Sequence, residues 1–170
     1  MLLRIGHRGA GGHAPENTLA AIKHGIALHA HLVEFDLRAT SDGQLVILHD
    51  ATLDRTTNGQ GPIADQLWSN VKQLTCDGGQ PLPLLADALR AASSRTGVMI
   101  EIKAEGTARQ ISRTVQEVQF SGPVIYASFF HDELLAIRRE HPKAQTMALI
   151  EAIPVNRTAF ATDAQATHVG

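Results

Sequence analysis

A chain of 170 residues, of which 44% are hydrophobic, is long enough to bury one sizeable core, and its composition is that of an ordinary globular protein. The formal net charge of -2 at pH 7 offers no general field for attracting nucleic acid or an anionic membrane, so an anionic ligand must be bound by local groups. The single cysteine, Cys76, excludes an internal disulfide framework and a cysteine metal cluster; because the first residues also lack the features of a secretory signal, we expect a cytoplasmic protein without membrane insertion.

Short apolar runs alternate along most of the chain with amphipathic stretches of helical length. The runs rich in Val, Ile and Leu predict strands at residues 2–6, 32–37, 44–49, 98–103, 124–128 and 145–150. The stretches between them predict helices at residues 19–28, 84–92, 107–118 and 132–140, the first capped at Asn17-Thr18 and the second opened by Pro83. This alternation indicates a parallel sheet, either in an open doubly wound fold or in a (β/α) barrel.

Residues 51–80 interrupt the alternation, because turn signals such as Asn58-Gly59 and Gly61-Pro62 surround one short apolar patch. We interpret this segment as an insertion between a strand and the following helix. No linker or low-complexity tract divides the chain, so residues 1–170 are expected to form a single domain. A complete eight-unit barrel needs at least ~200 residues, and about six βα units are predicted, so a barrel is expected to be incomplete.

Acidic residues alternate with apolar residues on two of the predicted strands. Glu34 and Asp36 belong on the same face of the strand at 32–37, because successive side chains of a strand point to opposite faces. Glu101 and Lys103 have the same spacing on the strand at 98–103. Burying an unpaired carboxylate is costly, so these three acids need cations, either Lys and Arg partners or a metal. Their oxygen ligands favour Mg²⁺ or Ca²⁺.

A simpler interpretation of each acid is a helix cap or a structural ion pair with Arg4, Arg38 or Lys103. For one acidic residue taken alone this interpretation is favoured, because structural ion pairs also bury and perturb acids. Two strands with the same acidic pattern favour a shared site instead.

Two histidines lie where predicted strands end. His7 and Arg8 follow the strand at 2–6, and His49 ends the strand at 44–49. The carboxyl ends of parallel strands form the active-site face of α/β folds. A histidine pair flanking a scissile bond can act as general base and general acid in turn, and the planar guanidinium of Arg8 suits a phosphate. The remaining histidines are expected in surface or packing roles, and residues 54–59 are interpreted as a solvated turn.

Six motifs follow one another along the chain. They are His7-Arg8-Gly9, Pro15-Glu16-Asn17-Thr18, Glu34-Phe35-Asp36, His49-Asp50, Leu53-Asp54-Arg55-Thr56-Thr57-Asn58-Gly59 and Glu101-Ile102-Lys103. This order resembles the glycerophosphodiester phosphodiesterases, and Pro81-Leu82-Pro83-Leu84-Leu85 is similar to their cytoplasmic bacterial branch. The resemblance implies an α/β fold of the (β/α)8 TIM-barrel type and hydrolysis of glycerophosphodiesters to glycerol 3-phosphate and an alcohol.

The resemblance also implies roles for seven residues of these motifs. The implied ligands of one divalent cation, Mg²⁺ or Ca²⁺, are Glu34, Asp36 and Glu101. The implied acid–base pair is His7 and His49. The groups implied to contact the phosphate are Arg8 and Lys103. The implied partner is a small-molecule glycerophosphodiester. No nucleic acid partner and no stable membrane insertion are expected.

The chain departs from the family pattern after residue 150, where the final strands of the barrel and their tryptophan-containing segment are not found. An open parallel sheet exposes unpaired edge groups and apolar surface. We therefore expect a complete set of catalytic groups on a weakened scaffold, and we hypothesise a homodimer that covers the open side of the barrel. The segment at residues 76–80 is also shorter than the corresponding segment of the family, so we expect a smaller lid over the site.

Two other functions stay open at this level. The chain could be a catalytically silent module for binding or oligomerisation that retains the site without turnover. It could also be a phosphodiesterase of the lysophospholipase D type, which needs an apolar groove or a membrane-binding patch that the sequence does not indicate. Activity on glycerophosphocholine distinguishes the silent module from an enzyme.

Overall fold

The computed structural model describes residues 2–93, 95–156 and 158–170. Their strands are, in chain order, β1 (Ile5–Gly6), β2 (Leu32–Ala39), β3 (Leu45–Ile47), β4 (Thr75–Cys76), β5 (Gln80–Pro81), β6 (Gly97–Ile102), β7 (Val124–Ser128), β8 (Gln145–Ala148) and β9 (His168–Val169). Their α-helices are α1 (Leu19–Ala27), α2 (Trp68–Val71), α3 (Leu85–Ala92), α4 (Ala108–Glu117), α5 (His131–Glu140) and α6 (Ala159–Asp163). Within these residues, none of the helices has both the length and the apolar character that crossing a membrane requires.

One curled sheet of 7 strands contains the parallel order β1-β2-β6-β7-β8-β9, with β3 beside β2. Side chains alternate along β2, so Val33, Phe35 and Leu37 pack into the core formed with the helices, while Glu34 and Asp36 face the inner side. In the part of the chain that the structure describes, β1 pairs only with β2 and β9 only with β8, so the sheet is open. The structure therefore confirms the predicted incomplete (β/α)8 TIM-barrel type.

The strand predicted at 44–49 differs from the one observed. β3 pairs antiparallel with the C-terminal half of β2, with Leu37 opposite Ile47. The chain reverses at Asp42-Gly43, where Gly43 adopts a φ of 79° that favours glycine. The expectation of a parallel strand is wrong here, because its apolar run does not show strand direction. The sixth parallel strand is instead β9, whose 2 residues are too few to give a periodic pattern in the sequence.

The helices begin close to their predicted positions. Thr18 caps α1, because its side-chain oxygen accepts a hydrogen bond from the Ala21 backbone N–H at 3.2 Å. α3, α4 and α5 each lie within one residue of the predicted boundaries. The short helices α2 and α6, of 4 and 5 residues, were not predicted from the sequence.

The insertion at residues 51–80 has an apolar core of its own. This core joins the insertion to β3 and to the segment before α3, and its buried members are Val46, Leu48, Leu53, Ile63, Val71, Cys76 and Leu82. The β4–β5 hairpin closes the far end of the insertion. Leu48 and Leu53 flank residues 49–52 and are both buried. They therefore anchor the start of the insertion just after β3, beside His49.

A buried carboxylate of α5 fastens the loop after β6 and the start of α4. Glu133, in the first turn of α5, accepts hydrogen bonds from the backbone N–H groups of Gly106 at 2.5 Å, Thr107 at 3.0 Å and Ala108 at 2.8 Å. These N–H groups belong to the start of α4 and have no partner within that helix. The contact therefore fixes residues 104–107, which directly follow Lys103.

Replacing Glu133 by glutamine should lower the free energy of unfolding by about 1.5–3 kcal/mol, because the side chain loses a charge-assisted contact and turns an N–H₂ group toward other donors. Urea unfolding followed by circular dichroism measures this change. The matched control is Glu117→Gln, which removes an exposed pair with Arg113 and should cost less than about 0.5 kcal/mol. Equal losses in the two variants would contradict the proposed role of Glu133.

Candidate active site

Three carboxylates converge on the inner face of the sheet. Glu34 and Asp36 are two residues apart on β2, and Asp36 lies opposite Glu101 in the pairing of β2 with β6. Each side chain offers an oxygen, and these oxygens all lie within 4.8 Å of one another. Glu34 and Asp36 are buried, with 5% and 1% of their surface exposed. The alternation seen in the sequence therefore brings together the three acids that it singled out.

The three acids are shielded from water and repel one another, which disfavours the charged form of Glu34. Burial, together with the charges of Asp36 and Glu101, raises the pKa of Glu34 to about 8, against the opposing effect of a hydrogen bond from the Arg8 backbone N–H. The Oε1 atom of Glu34 is buried and has no hydrogen-bond partner among the residues that the structure describes. A buried acceptor with no donor, inside a set of three carboxylates, is suited to a hard divalent cation such as Mg²⁺ or Ca²⁺.

Two cationic side chains flank the carboxylates. The Nζ atom of Lys103 lies 2.5 Å from Glu101 Oε1 and 3.4 Å from Asp36 Oδ1. The Nε atom of Arg8 lies 3.7 Å from Asp36 Oδ2. Both cations thus stand at the edge of the acidic cluster, where they offset its charge and can meet an anion placed beside it.

Asn17 holds Asp36 in place. Its Nδ2 group donates to Asp36 Oδ2 at 2.8 Å, and its Oδ1 atom accepts from the Asp36 backbone N–H at 3.2 Å. Both groups are buried, so the pair of bonds fixes the carboxylate orientation. The sequence named Asn17 as part of a helix cap and of a family motif but gave it no role in the site, because nothing in the order of residues shows that it faces β2.

Hydrogen bonds to Glu34 and a close contact of Gly9 with α1 hold the loop after β1 against β2. The Arg8 backbone N–H donates to Glu34 Oε2 at 2.6 Å, and the Gly9 N–H donates to the Glu34 carbonyl at 2.7 Å. Gly9 has a φ of 83° and packs against α1, where an added Cβ would lie 2.6 Å from the Ala21 carbonyl carbon. Only glycine fits there. His7 is left largely exposed, with its Nε2 atom 3.9 Å from Glu34 Oε2.

His49 reaches the same end of the sheet by a different route from the one expected. Because β3 runs antiparallel to β2, His49 lies beyond β3 and alongside β2, where the Leu48 N–H donates to the Asp36 carbonyl at 3.0 Å. Arg38 secures this arrangement: its Nε donates to the His49 carbonyl at 2.8 Å and its Nη1 to the Lys103 carbonyl at 3.2 Å. One guanidinium therefore joins the backbones of His49 and Lys103.

The structure thus adds residues that the sequence did not assign to the site. Arg38 could have been found, since it continues the alternation of Glu34 and Asp36 on β2. Asp50, whose Oδ1 atom lies 2.7 Å from His49 Nδ1, was visible only as a neighbour of a histidine. Arg55 lies in the segment interpreted as a solvated turn, yet it forms ion pairs with Asp50 and with Glu16 at 2.7 Å each.

Comparison with known proteins identifies relatives over nearly the whole chain. Residues 7–170 match the sequence model of the Glycerophosphoryl diester phosphodiesterase family. A glycerophosphodiester phosphodiesterase of Caldanaerobacter subterraneus is 33% identical over 153 residues, which cover 82% of this chain and 63% of that enzyme. The chain therefore spans less than two thirds of the length of that curated relative.

Solved structures give the same result for the fold. The crystal structure of glycerophosphodiester phosphodiesterase from Agrobacterium tumefaciens superposes with a TM-score of 0.87 and 30% identity, over 99% of this chain and 75% of that one. A phosphodiesterase of Oleispira antarctica, in complex with the product sn-glycerol-3-phosphate, superposes with a TM-score of 0.89 and 28% identity, over 99% of this chain and 74% of the other. The half-barrel described above is thus part of a larger fold in both.

Metal-free protein should lose stability as the pH rises from 4.5, the ordinary pKa of glutamate, to about 8. In that window folded Glu34 keeps a proton that the unfolded chain has released, so a higher pH favours unfolding. Urea unfolding in the presence of a chelator, at pH 5 and at pH 8, measures the difference. The fall in unfolding free energy should be smaller in Glu34→Gln, which has no proton to release.

The control for this measurement is Glu105→Gln, which replaces an exposed acid and should keep the wild-type pH dependence. Adding Ca²⁺ or Mg²⁺ at pH 8 should raise the stability of the wild type by binding the folded state, and should raise that of Glu34→Gln less. An identical pH dependence in wild type and Glu34→Gln would show that Glu34 ionises normally in the folded protein.

Proposed function

This chain belongs to the glycerophosphoryl diester phosphodiesterase family, and from that premise we propose that it hydrolyses glycerophosphodiesters to glycerol 3-phosphate and an alcohol. The observation that carries the proposal is the convergence of Glu34, Asp36 and Glu101 within 4.8 Å of one another, beside Arg8 and Lys103. The glycerol 3-phosphate bound by the Oleispira relative supports the same product. The proposed substrate is accordingly a small molecule.

We assign Glu34, Asp36 and Glu101 as the ligands of one divalent cation, Mg²⁺ or Ca²⁺. Their donor atoms are all carboxylate oxygens, which suit either ion, and the buried Oε1 atom of Glu34, which accepts no hydrogen bond within the described residues, is the oxygen best suited to bind a cation. A cation bound there supplies Lewis-acid stabilisation of the charge on the phosphoryl oxygens.

Arg8 and Lys103 are proposed to bind the phosphate. They approach the acidic cluster from two loops, with Arg8 near Asp36 and Lys103 near both Asp36 and Glu101. Their positive charges are already oriented before substrate binds, so little reorganisation is needed when negative charge increases on the phosphoryl oxygens in the transition state. The carboxylates would thus assist catalysis by orienting the Arg8 and Lys103 side chains.

His7 and His49 are proposed as the acid–base pair. In the first step, the 2-hydroxyl oxygen of the glycerol group attacks phosphorus, His7 takes the hydroxyl proton, and the bond from phosphorus to the head-group oxygen breaks as His49 protonates that oxygen. In the second step, water attacks the resulting cyclic phosphate, giving a proton to His49 while His7 protonates the departing 2-oxygen. Both side chains are accessible, with 74% of His7 and 34% of His49 exposed, so a substrate can reach them.

Replacing His7 or His49 by alanine should each lower kcat/KM for glycerophosphocholine by about 100-fold or more, since each removes a proton-transfer group. Release of glycerol 3-phosphate, coupled to its dehydrogenase, measures the rate. Glu34→Ala and removal of divalent ions by a chelator should abolish release. The control is His141→Ala, at the end of α5, which should keep the wild-type rate.

The same assay separates the alternative functions. A wild-type chain that releases no product with either ion would indicate the silent binding module. A preference for a lysophospholipid over glycerophosphocholine would indicate the lysophospholipase D type. Full activity of both His7→Ala and His49→Ala would show that the proposed acid–base pair is wrong. The cytoplasmic location stays a prediction from the sequence.

We also propose that a second copy of the chain covers the open side of the sheet. Leu3, Ile5 and Val169, on or next to the edge strands β1 and β9, are all exposed. A cleft of about 540 Å³ follows β1 and is lined partly by Ile5 and Leu28. Free strand edges beside apolar surface favour association with another chain.

Sedimentation velocity of the 170-residue chain should therefore show a dimer at micromolar concentration. The variant Ile5→Lys, which places a charge on the free edge of β1, should shift the population toward monomer. The control is Leu67→Lys, which places the same charge at an exposed apolar position of the insertion. A compact wild-type monomer that binds no hydrophobic dye would contradict the proposed dimer, whatever its activity.

A further inference from the structure

A continuous series of ion pairs links the loop after β1 to the insertion. Glu16, between β1 and α1, accepts a hydrogen bond from Arg8 Nη1 at 2.8 Å through its Oε1 atom. The guanidinium of Arg55 donates to the same carboxylate, with Nη2 at 2.7 Å from Oε1 and Nη1 at 3.2 Å from Oε2. Glu16 is therefore shared between two arginines from separate parts of the chain.

The same guanidinium also holds a second carboxylate. Arg55 Nε lies 2.7 Å from Asp50 Oδ2, and Nη2 lies 2.9 Å from Asp50 Oδ1. Asp50 Oδ1 in turn lies 2.7 Å from His49 Nδ1. The series thus runs from Arg8 through Glu16, Arg55 and Asp50 to His49, and it joins a group proposed to bind phosphate to one proposed to transfer a proton.

The protonation of this series determines which nitrogen of His49 is free. The hydrogen bond from Arg55 holds the pKa of Asp50 well below its usual range, and the hydrogen bond from His49 adds to the effect. An ionised carboxylate only accepts hydrogen bonds, so His49 Nδ1 must carry the proton that lies between them. Nε2 is then the nitrogen that remains to exchange a proton with a substrate.

We propose that Glu16 and Arg55 are positioning residues, which hold Asp50 against His49 Nδ1 and set the Arg8 guanidinium at a fixed place relative to His49. This inference rests on the function proposed above, because it gives the ion pairs a purpose only if His49 transfers a proton. Neither residue touches the reacting atoms in this scheme.

The simpler interpretation is that these are surface ion pairs of little consequence. The Arg55 side chain is 48% exposed and that of Glu16 is 22% exposed, so the pairs add little to overall stability. Their arrangement nevertheless depends on the shape of the guanidinium, whose fork engages two carboxylates at once and cannot be reproduced by a lysine. The backbone around Arg55 is also fixed, since Leu53 and Thr56 are buried.

The kinetic test compares four variants under saturating divalent ion. Arg55→Met should lower kcat by about 10- to 100-fold, the size of effect found when a partner that orients a metal-ligating side chain is removed, with KM changed less than kcat. Arg55→Lys should not restore the rate, because a point charge cannot hold both carboxylates. Glu16→Gln should lower kcat and also raise KM, since Arg8 loses its partner. The matched control is Arg113→Met, which removes an exposed Arg–Glu pair on α4 and should change neither constant.

A second measurement does not depend on turnover. Nitrogen-15 chemical shifts of the His49 ring report its tautomer directly, and neutral His49 should carry its proton on Nδ1 in the wild type and in Arg113→Met. In Arg55→Met the signal should move toward a mixture of the two tautomers. Circular dichroism of each variant, recorded under the same conditions, gives the folded fraction to which kcat is referred.

The outcomes separate this inference from the function on which it rests. A fall in kcat per folded molecule together with a shifted tautomer supports the positioning role. An inactive wild type would overturn the proposed phosphodiesterase, and the tautomer alone would then decide whether Arg55 orients His49. An unchanged tautomer in Arg55→Met overturns the inference, whether or not kcat falls, and so does an equal loss of rate in Arg113→Met.

Discussion

The placement of three carboxylates on one buried face of the sheet is the constraint on which the rest of the site depends. Charged acids in such a place are disfavoured by lost solvation and by mutual repulsion, and the raised pKa of Glu34 expresses both effects. The surrounding groups lessen the cost: Lys103 contacts two of the acids and Asn17 donates to Asp36. One of these groups, Lys103, is also proposed to bind the phosphate.

The position of the loop after β1 follows from the same constraint. Only Ile5 and Gly6 pair with β2 in β1, which is little to hold His7 and Arg8. Their position depends instead on Glu34, whose carboxylate and carbonyl accept the N–H groups of the two residues that follow His7. Glu34 therefore orders the loop through its hydrogen bonds as well as contributing charge, and replacing it removes two effects at once.

Much of this arrangement could be predicted because it depends on the period of a strand. Alternation placed Glu34, Asp36 and Glu101 on inner faces, and parallel pairing of β2 with β6 makes those faces one surface. The apolar run of β3 has the same period in either direction and does not show its orientation; the signal for an antiparallel strand is Asp42-Gly43, a dipeptide typical of a hairpin turn. The contacts of Arg55 could not be predicted from the sequence. They depend on how a 30-residue insertion folds back onto the loop after β1, which composition and period do not encode.

An open edge beside β1 is compatible with an ordered arrangement of the proposed catalytic groups for a physical reason. In a closed barrel a neighbouring strand on each side would hold β1, whereas here β1 has one such neighbour in the described residues. The contact of Gly9 with α1 and the hydrogen bonds to Glu34 act locally and do not require the second strand. Glu16 adds a third connection through Arg8 to the insertion. Contacts with β2 and with the insertion therefore hold the site in place. Closure of the sheet matters less for the geometry of the site than for the stability of the whole chain.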